Sequence, residues 1–314
     1  MRKFNVFTTY VYGHKNPDTD AIVAAVIAAD YYNKLGVECT PIRLGELNKE
    51  TQFLVDYFGF EVPELMESID DGTRVVLVDH NEIAQSFDNL RELDIYAIID
   101  HHKFNLQTDA PLNIRAEIIG STASILYKMY EEAGLELNKQ QAGMMIAAVI
   151  SDTLFFRSPT TTDQDRYIVD ELNQIAQIED LEAFSLEMFD AKGDLSDYSA
   201  EEIITLDYKP FNFNGKKFTI GVMETTNPKF ALDMKSELIA AQNEIKSREG
   251  LDGILFFVVD ILNENSKAIV CGEFEEQTVS KAFGASVSED GVLDAGHIVS
   301  RKKQIVPKLE EFFA

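Results

Sequence analysis

Aspartate and histidine recur together behind short apolar runs in this chain. Four such runs end in acidic residues, and three of the four also carry histidine. The residues concerned are His14, Asp18 and Asp20 after the first run, Asp79 and His80 after the second, Asp100, His101 and His102 after the third, and Asp152 after the fourth. Carboxylate and imidazole groups together form a ligand set for divalent transition metals. Their recurrence at the ends of apolar segments predicts that they converge in space.

This set of side chains is larger than one metal ion needs. Two metals about 3.5–4 Å apart, bridged by shared carboxylates and a water molecule, would use it. Mixed aspartate and histidine ligation suits manganese, cobalt or zinc better than magnesium or calcium, which prefer oxygen ligands. The sequence therefore predicts a two-metal centre.

Each of these residues also has a more ordinary interpretation. A single aspartate after a strand is more often a helix cap or a turn residue than a ligand. Asp152, within Ser-Asp-Thr, would by itself be a cap, and its apolar run is helix-like. His80 would by itself be a satisfied polar residue. The coincidence of four acidic clusters behind four apolar runs favours the metal site.

The elements that must position these residues alternate between short apolar runs and helical patterns. Over roughly the first 185 residues this alternation predicts an α/β fold, with a mostly parallel sheet and helices on both faces. Predicted strands cover 6–13, 41–44, 74–79, 94–100 and 112–119, and predicted helices cover 19–35, 48–58, 121–133, 139–150, 162–176 and 181–189. In such a sheet, ligands gather at the carboxyl ends of the strands.

A small polar stretch with a glycine, at 191–197, predicts a break between two domains. The predicted division is a first domain at 1–190, a linker at 191–196 and a smaller α/β domain at 197–314. In the second domain, strand-like runs cover 202–207, 217–224, 254–260 and 267–271, and a long amphipathic helix lies near 230–249. The chain ends with a basic segment at 300–304 and a final helix.

The composition excludes some partners. The formal net charge is −26, from 28 basic and 54 acidic residues. This charge argues against non-specific binding to nucleic acid or to an anionic membrane, because both require a basic surface. A small anionic substrate remains possible if cations or metals are placed locally to meet it.

Targeting signals and cysteines point to the cytoplasm. No stretch approaches the ~20 apolar residues of a membrane span. The amino terminus lacks the long apolar core of a signal peptide. Cys39 and Cys271 lack metal-ligand spacing, and we expect two reduced thiols rather than a disulfide.

Five motifs carry a resemblance to a known family. The chain resembles the manganese-dependent, family II inorganic pyrophosphatases of the DHH phosphoesterase superfamily. The motifs are Gly13-His14-Lys15-Asn16-Pro17-Asp18-Thr19-Asp20, Val78-Asp79-His80-Asn81-Glu82, Asp100-His101-His102, Ser151-Asp152-Thr153 and Ser300-Arg301-Lys302-Lys303-Gln304. The Asp-His-His triplet indicates only the superfamily, whereas the last motif is specific to the pyrophosphatases. The resemblance spans essentially the whole chain.

The resemblance implies two manganese ions in each subunit, with cobalt as a possible substitute and further magnesium accompanying the substrate. One metal would take His14, Asp18, Asp79 and Asp152, and the other would take Asp20, Asp79, His101 and Asp152. Asp79 and Asp152 would then bridge the metals. His102 would face the substrate phosphate. Asp100 would either accept a hydrogen bond from a histidine ring or act as an ordinary cap.

The resemblance also implies a substrate site in the second domain. Arg301 and Lys302 would bind phosphate, with Lys209 and Ser300 beside them. The alternatives are a solvated basic turn for the terminal motif and a surface position for Lys209. The implied reaction is hydrolysis of pyrophosphate to two phosphates by a hydroxide bridging the metals, at a site between the two domains. The catalytic residues would be Asp79, His102, Arg301 and Lys302.

Other predictions follow from the resemblance or compete with it. The family resemblance implies a homodimer and a substrate-driven closure about the linker. Ala21 stands where a serine often follows the Asp-x-Asp element, and we expect no functional consequence. One alternative is a related phosphoesterase that acts on short oligonucleotides or polyphosphate. Another is a metal-sensing or nucleotide-sensing regulatory protein, although no sensor domain interrupts the chain.

Overall fold

A computed structural model describes residues 8–108, 111–287 and 292–314 of the 314-residue chain. These residues form two compact units. The first contains the described residues up to Phe156, together with Thr160–Met188, and the second contains Arg157–Pro159 and the described residues from Phe189 onward.

The first unit contains a parallel sheet. Its described strands are β1 (Thr9–Tyr12), β2 (Cys39–Arg43), β3 (Glu64–Leu65), β4 (Arg74–Val78), β5 (Asp94–Asp100) and β6 (Asn113–Ala116). Their order is β3-β2-β1-β4-β5-β6, and the neighbouring strands pair in parallel. The prediction of an α/β fold with a mostly parallel sheet is confirmed. Val6 and Phe7, at the start of the first predicted strand, lie outside the described residues.

Apolar runs produce the central strands. Val75, Val76, Leu77 and Val78 of β4 are fully buried, as expected for a strand that is covered on both faces. The polar residue Asp79 follows immediately, and its φ of 59° lies in the left-handed region. Aspartate tolerates this conformation better than most residues do. The chain therefore turns at the point where the buried strand gives way to a polar side chain.

Six described helices accompany this sheet. They are α1 (Thr19–Lys34), α2 (Lys49–Phe58), α3 (Thr122–Ala133), α4 (Lys139–Thr153), α5 (Asp163–Ala176) and α6 (Leu181–Gly193). The side chain of Asp18 caps α1 by accepting a hydrogen bond from the Ala21 N–H at 2.9 Å. A capping box between Asn138 and Gln141 begins α4. The predicted linker at 191–196 overlaps the end of α6, and the division between the units falls inside this helix.

The second unit contains a mixed sheet. Its described strands are β7 (Tyr208–Phe213), β8 (Lys216–Thr225), β9 (Gly253–Asp260), β10 (Asn265–Ile269), β11 (Ser286–Val287) and β12 (Leu293–Gly296). Their order is β11-β12-β10-β9-β8-β7. The pair β8–β9 is parallel, and the other described pairs are antiparallel. The helices are α7 (Ala200–Thr205), α8 (Pro228–Asp233), α9 (Lys235–Glu249), α10 (Glu273–Phe283) and α11 (Val306–Phe313).

Two predictions about this second unit were wrong. The run at 202–207 is not a strand, because its first part forms α7. A capping box between Ser199 and Glu202 begins that helix, and Ile203 and Ile204 are both buried. The long helix near 230–249 is two helices, α8 and α9, which meet at Met234.

The structure bears on the predictions about membrane spans and about the two cysteines. Among the described residues, no helix is both long enough and apolar enough to span a membrane. Cys39 is buried and Cys271 is half-buried, and both are free thiols, as predicted.

Candidate metal centre

The predicted ligands lie at the ends of neighbouring elements. Strands β1, β4 and β5 are adjacent and parallel, so their carboxyl ends meet at one edge of the sheet. His14 follows β1, Asp79 follows β4, and His101 follows β5. Asp18 and Asp20 begin α1, and Asp152 lies in the last turn of α4. The structure brings all six of these residues together.

Their ligand atoms form compact groups in which all atoms lie within 4.8 Å of one another. Among the described residues the groups are His14, Asp18 and Asp79; Asp20, Asp79, His101 and Asp152; and Asp79, His101 and His102. Asp79 belongs to every group. The geometry therefore supports Asp79 as a shared ligand. Asp152 belongs to one of these groups only, with Asp20, Asp79 and His101 and not with His14.

The two carboxylate oxygens of Asp79 face different histidines. Oδ2 lies 3.6 Å from Nε2 of His14, and Oδ1 lies 3.4 Å from Nε2 of His101. Thr122 donates its hydroxyl to Oδ1 at 3.0 Å. Oδ2 is buried and has no hydrogen-bond partner in the described part of the chain. A carboxylate with one oxygen directed to each group has the geometry of a bridging ligand.

His101 has a defined tautomer. Its Nδ1 lies 3.0 Å from the carbonyl oxygen of Ile119, and a carbonyl can only accept, so Nδ1 carries the hydrogen. Nε2 therefore faces Asp79 and Asp152, at 3.4 Å from an oxygen of each. Metal-binding histidines commonly direct their other ring nitrogen to a carbonyl or a carboxylate in this way.

His102 has different surroundings from its neighbour. The two rings lie 4.3 Å apart between centroids and are inclined by 80°. Nδ1 of His102 donates to Asp100 at 2.9 Å, and Asn81 donates to the same carboxylate at 2.7 Å. Burial acts to raise the pKa of Asp100, but these hydrogen bonds hold it well below its ordinary value. Because Nδ1 is committed to Asp100, this nitrogen is a poor candidate for a metal ligand.

The two aspartates of α1 are held in different ways. Asp18 caps the helix with Oδ1, while Oδ2 lies 3.4 Å from Nε2 of His14. Asp20 is fully buried and accepts hydrogen bonds from the Ser121 hydroxyl and from the backbone N–H groups of Thr122 and Ala123, at 2.8, 2.6 and 3.0 Å. The start of α3 therefore fixes the orientation of Asp20.

The electrostatics of the cluster fit a divalent cation. Burial and the nearby charge of Asp79 raise the pKa of Asp20 to about 7. Burial also acts to raise the pKa of Asp79, but the imidazoles of His101 and His102 lower it below its ordinary value. Like charges held this close in a buried site are stabilised by protonation of one carboxylate or by a compensating positive charge such as a metal ion. The nitrogen and oxygen donors and the buried, unpartnered Oδ2 of Asp79 fit manganese, cobalt or zinc.

The predicted substrate residues of the second unit also lie near one another. Arg301 donates to Asp207 Oδ1 at 2.6 Å, to the Asp207 carbonyl at 2.9 Å and to the Ile220 carbonyl at 3.3 Å. Lys209 of β7 pairs with Ile220 of β8. Arg301 is therefore held against the start of β7 and is not part of a solvated turn. The Arg301 side chain is only 12% exposed.

The rest of the terminal motif forms a capped turn. Residues Arg301–Ile305 form a single π-helical turn that leads into α11. Ser300 is buried, and its hydroxyl accepts a hydrogen bond from the Lys303 N–H at 3.3 Å. Gln304 accepts from the backbone N–H groups of Val299 and Ser300. Lys302 is exposed.

Comparison with known proteins identifies the family. Residues 8–149 match the DHH family, N-terminal domain, and residues 186–312 match the DHHA2 domain. The chain is 46% identical over 309 residues to a probable manganese-dependent inorganic pyrophosphatase of Deinococcus radiodurans, covering 97% of this chain and 98% of that protein. It is 42% identical over 306 residues to the manganese-dependent inorganic pyrophosphatase of Bacillus subtilis, covering 97% and 98%.

This chain belongs to the manganese-dependent inorganic pyrophosphatase family. The predicted resemblance is therefore confirmed. A Methanococcus jannaschii crystal structure assigned to the family II inorganic pyrophosphatases has a TM-score of 0.86 and 40% identity, and the match covers 97% of this chain and 99% of that one. An exopolyphosphatase-related protein from Bacteroides fragilis, at a TM-score of 0.50 and 14% identity, shares the fold alone.

Several residues that support this pyrophosphatase-family site were not predicted from the sequence. Ser121 and Thr122 hold Asp20 and Asp79, and Glu50 accepts hydrogen bonds from residues beside the ligands. A serine at the start of a predicted helix, which is a common N-cap position, could have identified Ser121. His80, by contrast, joins no ligand group among the described residues. It donates Nδ1 to the Val78 carbonyl at 2.9 Å, and burial lowers its pKa to about 4.

Proposed function

We propose that this chain hydrolyses inorganic pyrophosphate to two phosphates and that it requires manganese. The observation that carries this proposal is the position of Asp79, whose two oxygens face His14 and His101 in separate groups of ligands. The choice of pyrophosphate as the substrate rests on similarity, over nearly the full length, to proteins named as manganese-dependent inorganic pyrophosphatases.

Two manganese ions in each chain are part of the proposal. One would be held by His14, Asp18 and Asp79, and the other by Asp20, Asp79, His101 and Asp152. When bound, such a pair supplies positive charge to the phosphates and activates water for attack on phosphorus. Cobalt fits the same donors, and magnesium would accompany the substrate. Titration calorimetry with each metal tests the stoichiometry and the preference.

The remaining residues bind and orient the substrate. Asp100 fixes the ring of His102, which would present Nε2 to a phosphate oxygen. Arg301 already donates from Nη1 and Nη2 to Asp207 and Ile220, so its remaining N–H groups would bind phosphate, and Lys302 and Lys209 would offer point charges. Ser300 would act by capping the turn that carries Arg301. Each cation lowers the charge repulsion that otherwise keeps an attacking nucleophile from pyrophosphate.

A substrate comparison tests the function. The purified chain with manganese is offered pyrophosphate, tripolyphosphate and a dinucleotide, and phosphate release is measured. Fast release from pyrophosphate alone is the expected result. Activity restricted to the dinucleotide or to the longer polyphosphate would assign the chain to the alternative phosphoesterase class. Nucleic-acid binding is not expected, because the net charge is −26.

We also propose a homodimer formed through the first unit. Strand β6 is at the edge of its sheet, and Ile114 and Ile118 are 50% and 90% exposed beside it. An edge strand with exposed apolar residues is a ready template for pairing with a second chain. Light scattering should give the mass of a dimer, and Ile118→Asp should shift the measured mass to that of the monomer.

We also propose a cytoplasmic location, which cell fractionation would test.

A further inference from the structure

A carboxylate that the proposed mechanism does not use lies buried close to the ligand-bearing helices. Glu50, in the first turn of α2, has no exposed surface. One of its oxygens, Oε2, accepts a hydrogen bond from the Thr19 hydroxyl at 2.8 Å and another from the Ser151 hydroxyl at 2.7 Å. A single oxygen atom therefore joins two side chains that are far apart in sequence.

Both hydroxyl donors are direct neighbours of proposed metal ligands. Thr19 lies between Asp18 and Asp20 at the start of α1, and Ser151 precedes Asp152 in the last turn of α4. The Glu50 carboxylate thus links the two helix ends that carry three of the six proposed ligands.

The hydrogen bond from Ser151 is a tertiary contact. Serine and threonine in a helix can donate to a carbonyl of their own helix, as Thr153 does to Val149 at 2.6 Å. Ser151 donates across to α2 instead. Thr51, the residue after Glu50, is also within hydrogen-bond distance of the Thr19 hydroxyl, at 3.2 Å. The start of α2 therefore holds the start of α1 at two points and the end of α4 at one.

We propose that Glu50 is a positioning residue for the metal centre. Its carboxylate sets the distance from Asp18 and Asp20, at the start of α1, to Asp152, at the end of α4. This distance in turn determines the affinity for manganese. The inference rests on the metal centre of the proposed function but not on the identity of the substrate. Residues that orient metal ligands through hydrogen bonds commonly change affinity when they are replaced.

Three variants separate geometry from charge. Glu50→Gln keeps an oxygen acceptor and removes the charge, Glu50→Ala removes both, and Ser151→Ala removes one hydroxyl while leaving the carboxylate in place. Glu275→Gln is the matched control, because Glu275 is also fully buried, is paired with Lys246, and lies in the second unit.

Manganese binding to the full-length chain is measured by calorimetry and by electron paramagnetic resonance of free Mn²⁺. We expect Glu50→Ala to raise the manganese Kd by about tenfold or more, with smaller increases for Glu50→Gln and Ser151→Ala. The absorption spectrum of the cobalt-loaded protein, which reports ligand geometry, should change in the same order. Glu275→Gln should lower the melting temperature and leave both metal readouts unchanged.

The outcomes distinguish the role of Glu50 from the proposed function. If the wild type binds manganese and all three variants bind it with unchanged Kd and cobalt spectrum, the role of Glu50 is refuted and the pyrophosphatase function stands. If affinity depends on Glu50 but the wild type releases no phosphate from pyrophosphate, the function is refuted and the role of Glu50 stands. A wild type that binds no manganese refutes both.

Discussion

At the residue scale, the site gives separate tasks to the two oxygens of individual aspartates. Asp18 uses one oxygen to cap α1 and directs the other towards His14. Asp79 directs one oxygen to each of two histidines. Asparagine would offer only one oxygen and would place an N–H₂ group where the second oxygen lies. These positions therefore require aspartate for its chemistry as well as its size.

The first prediction concerns the shared ligand. Asp79→Asn should remove manganese binding from both groups and reduce pyrophosphate hydrolysis by at least about a thousandfold, since several kcal/mol of charge stabilisation are lost. Calorimetry gives the stoichiometry, and phosphate release gives the rate. Asp88→Asn is the control, because Asp88 is exposed and pairs only with Lys15 among the described contacts. One manganese retained at wild-type affinity in Asp79→Asn would contradict the shared role.

The second prediction concerns Arg301. Arg301→Lys keeps the positive charge but loses the planar fork, so KM for pyrophosphate should rise by about tenfold or more. The first unit should bind manganese as before. Arg248→Lys is the control, because Arg248 is an exposed arginine of the same unit paired with Glu201. Steady-state kinetics measures the change, and an unaltered KM would argue against phosphate binding by Arg301.

Without the family resemblance, site residues could be predicted from the sequence only where their types recur. Aspartate and histidine stood out because they repeat behind apolar runs. Glu50, Thr122 and Asp207 did not, because a single glutamate, threonine or aspartate has no distinguishing pattern. Their roles depend on contacts between residues that are far apart in sequence, such as Glu50 with Ser151. The grouping of Asp152 with one set of ligands likewise depends on distances that no motif contains.

At the element scale, the site depends on the close approach of β1 and α1. A Cβ atom added to Gly13 would lie 2.6 Å from the Cβ of Ala21 and 2.8 Å from its carbonyl oxygen. Gly13 directly precedes His14, and Ala21 directly follows Asp20. The absence of a side chain at Gly13 therefore lets ligands from the strand and from the helix reach the same place.

The third prediction tests this contact. Gly13→Ala should destabilise the metal-free protein by about 1–3 kcal/mol, as overpacking commonly does, and should weaken manganese binding because His14 moves away from α1. Gly72→Ala is the comparison, since Gly72 has a φ of 76° and no atom within 4 Å of an added Cβ. That variant should lose about 1 kcal/mol through backbone strain alone and keep its manganese affinity. Equal affinities in the two variants would refute the role of the close approach.

Elements were predicted correctly where one physical signal dominated. Fully apolar runs identified β4 and β5, because strands buried on both faces contain few polar residues. The run at 202–207 was misassigned because adjacent isoleucines resemble a strand, although the capping box at Ser199 and Glu202 indicates a helix. The start of the predicted linker overlaps the end of α6, where polar residues resemble a loop.

At the scale of the whole molecule, two electrostatic effects should be separable. The net charge of −26 destabilises the folded state through general repulsion, which salt screens. The metal centre concentrates buried carboxylates at one place, where a bound cation stabilises only the folded chain. The general effect depends on ionic strength, whereas the local effect depends on the ligands.

The fourth prediction uses this difference. Chelation of manganese should lower the melting temperature, and adding it back at 100 times its Kd should restore about 2.7 kcal/mol for a single site, by linkage. Sodium chloride should raise the melting temperature of the chelated protein through screening alone. In Asp79→Asn the effect of salt should persist and the effect of manganese should disappear. The contrary result is that sodium chloride at the same ionic strength raises the melting temperature of the wild type as much as manganese does. That result would mean that manganese acts by screening and not by occupying the site.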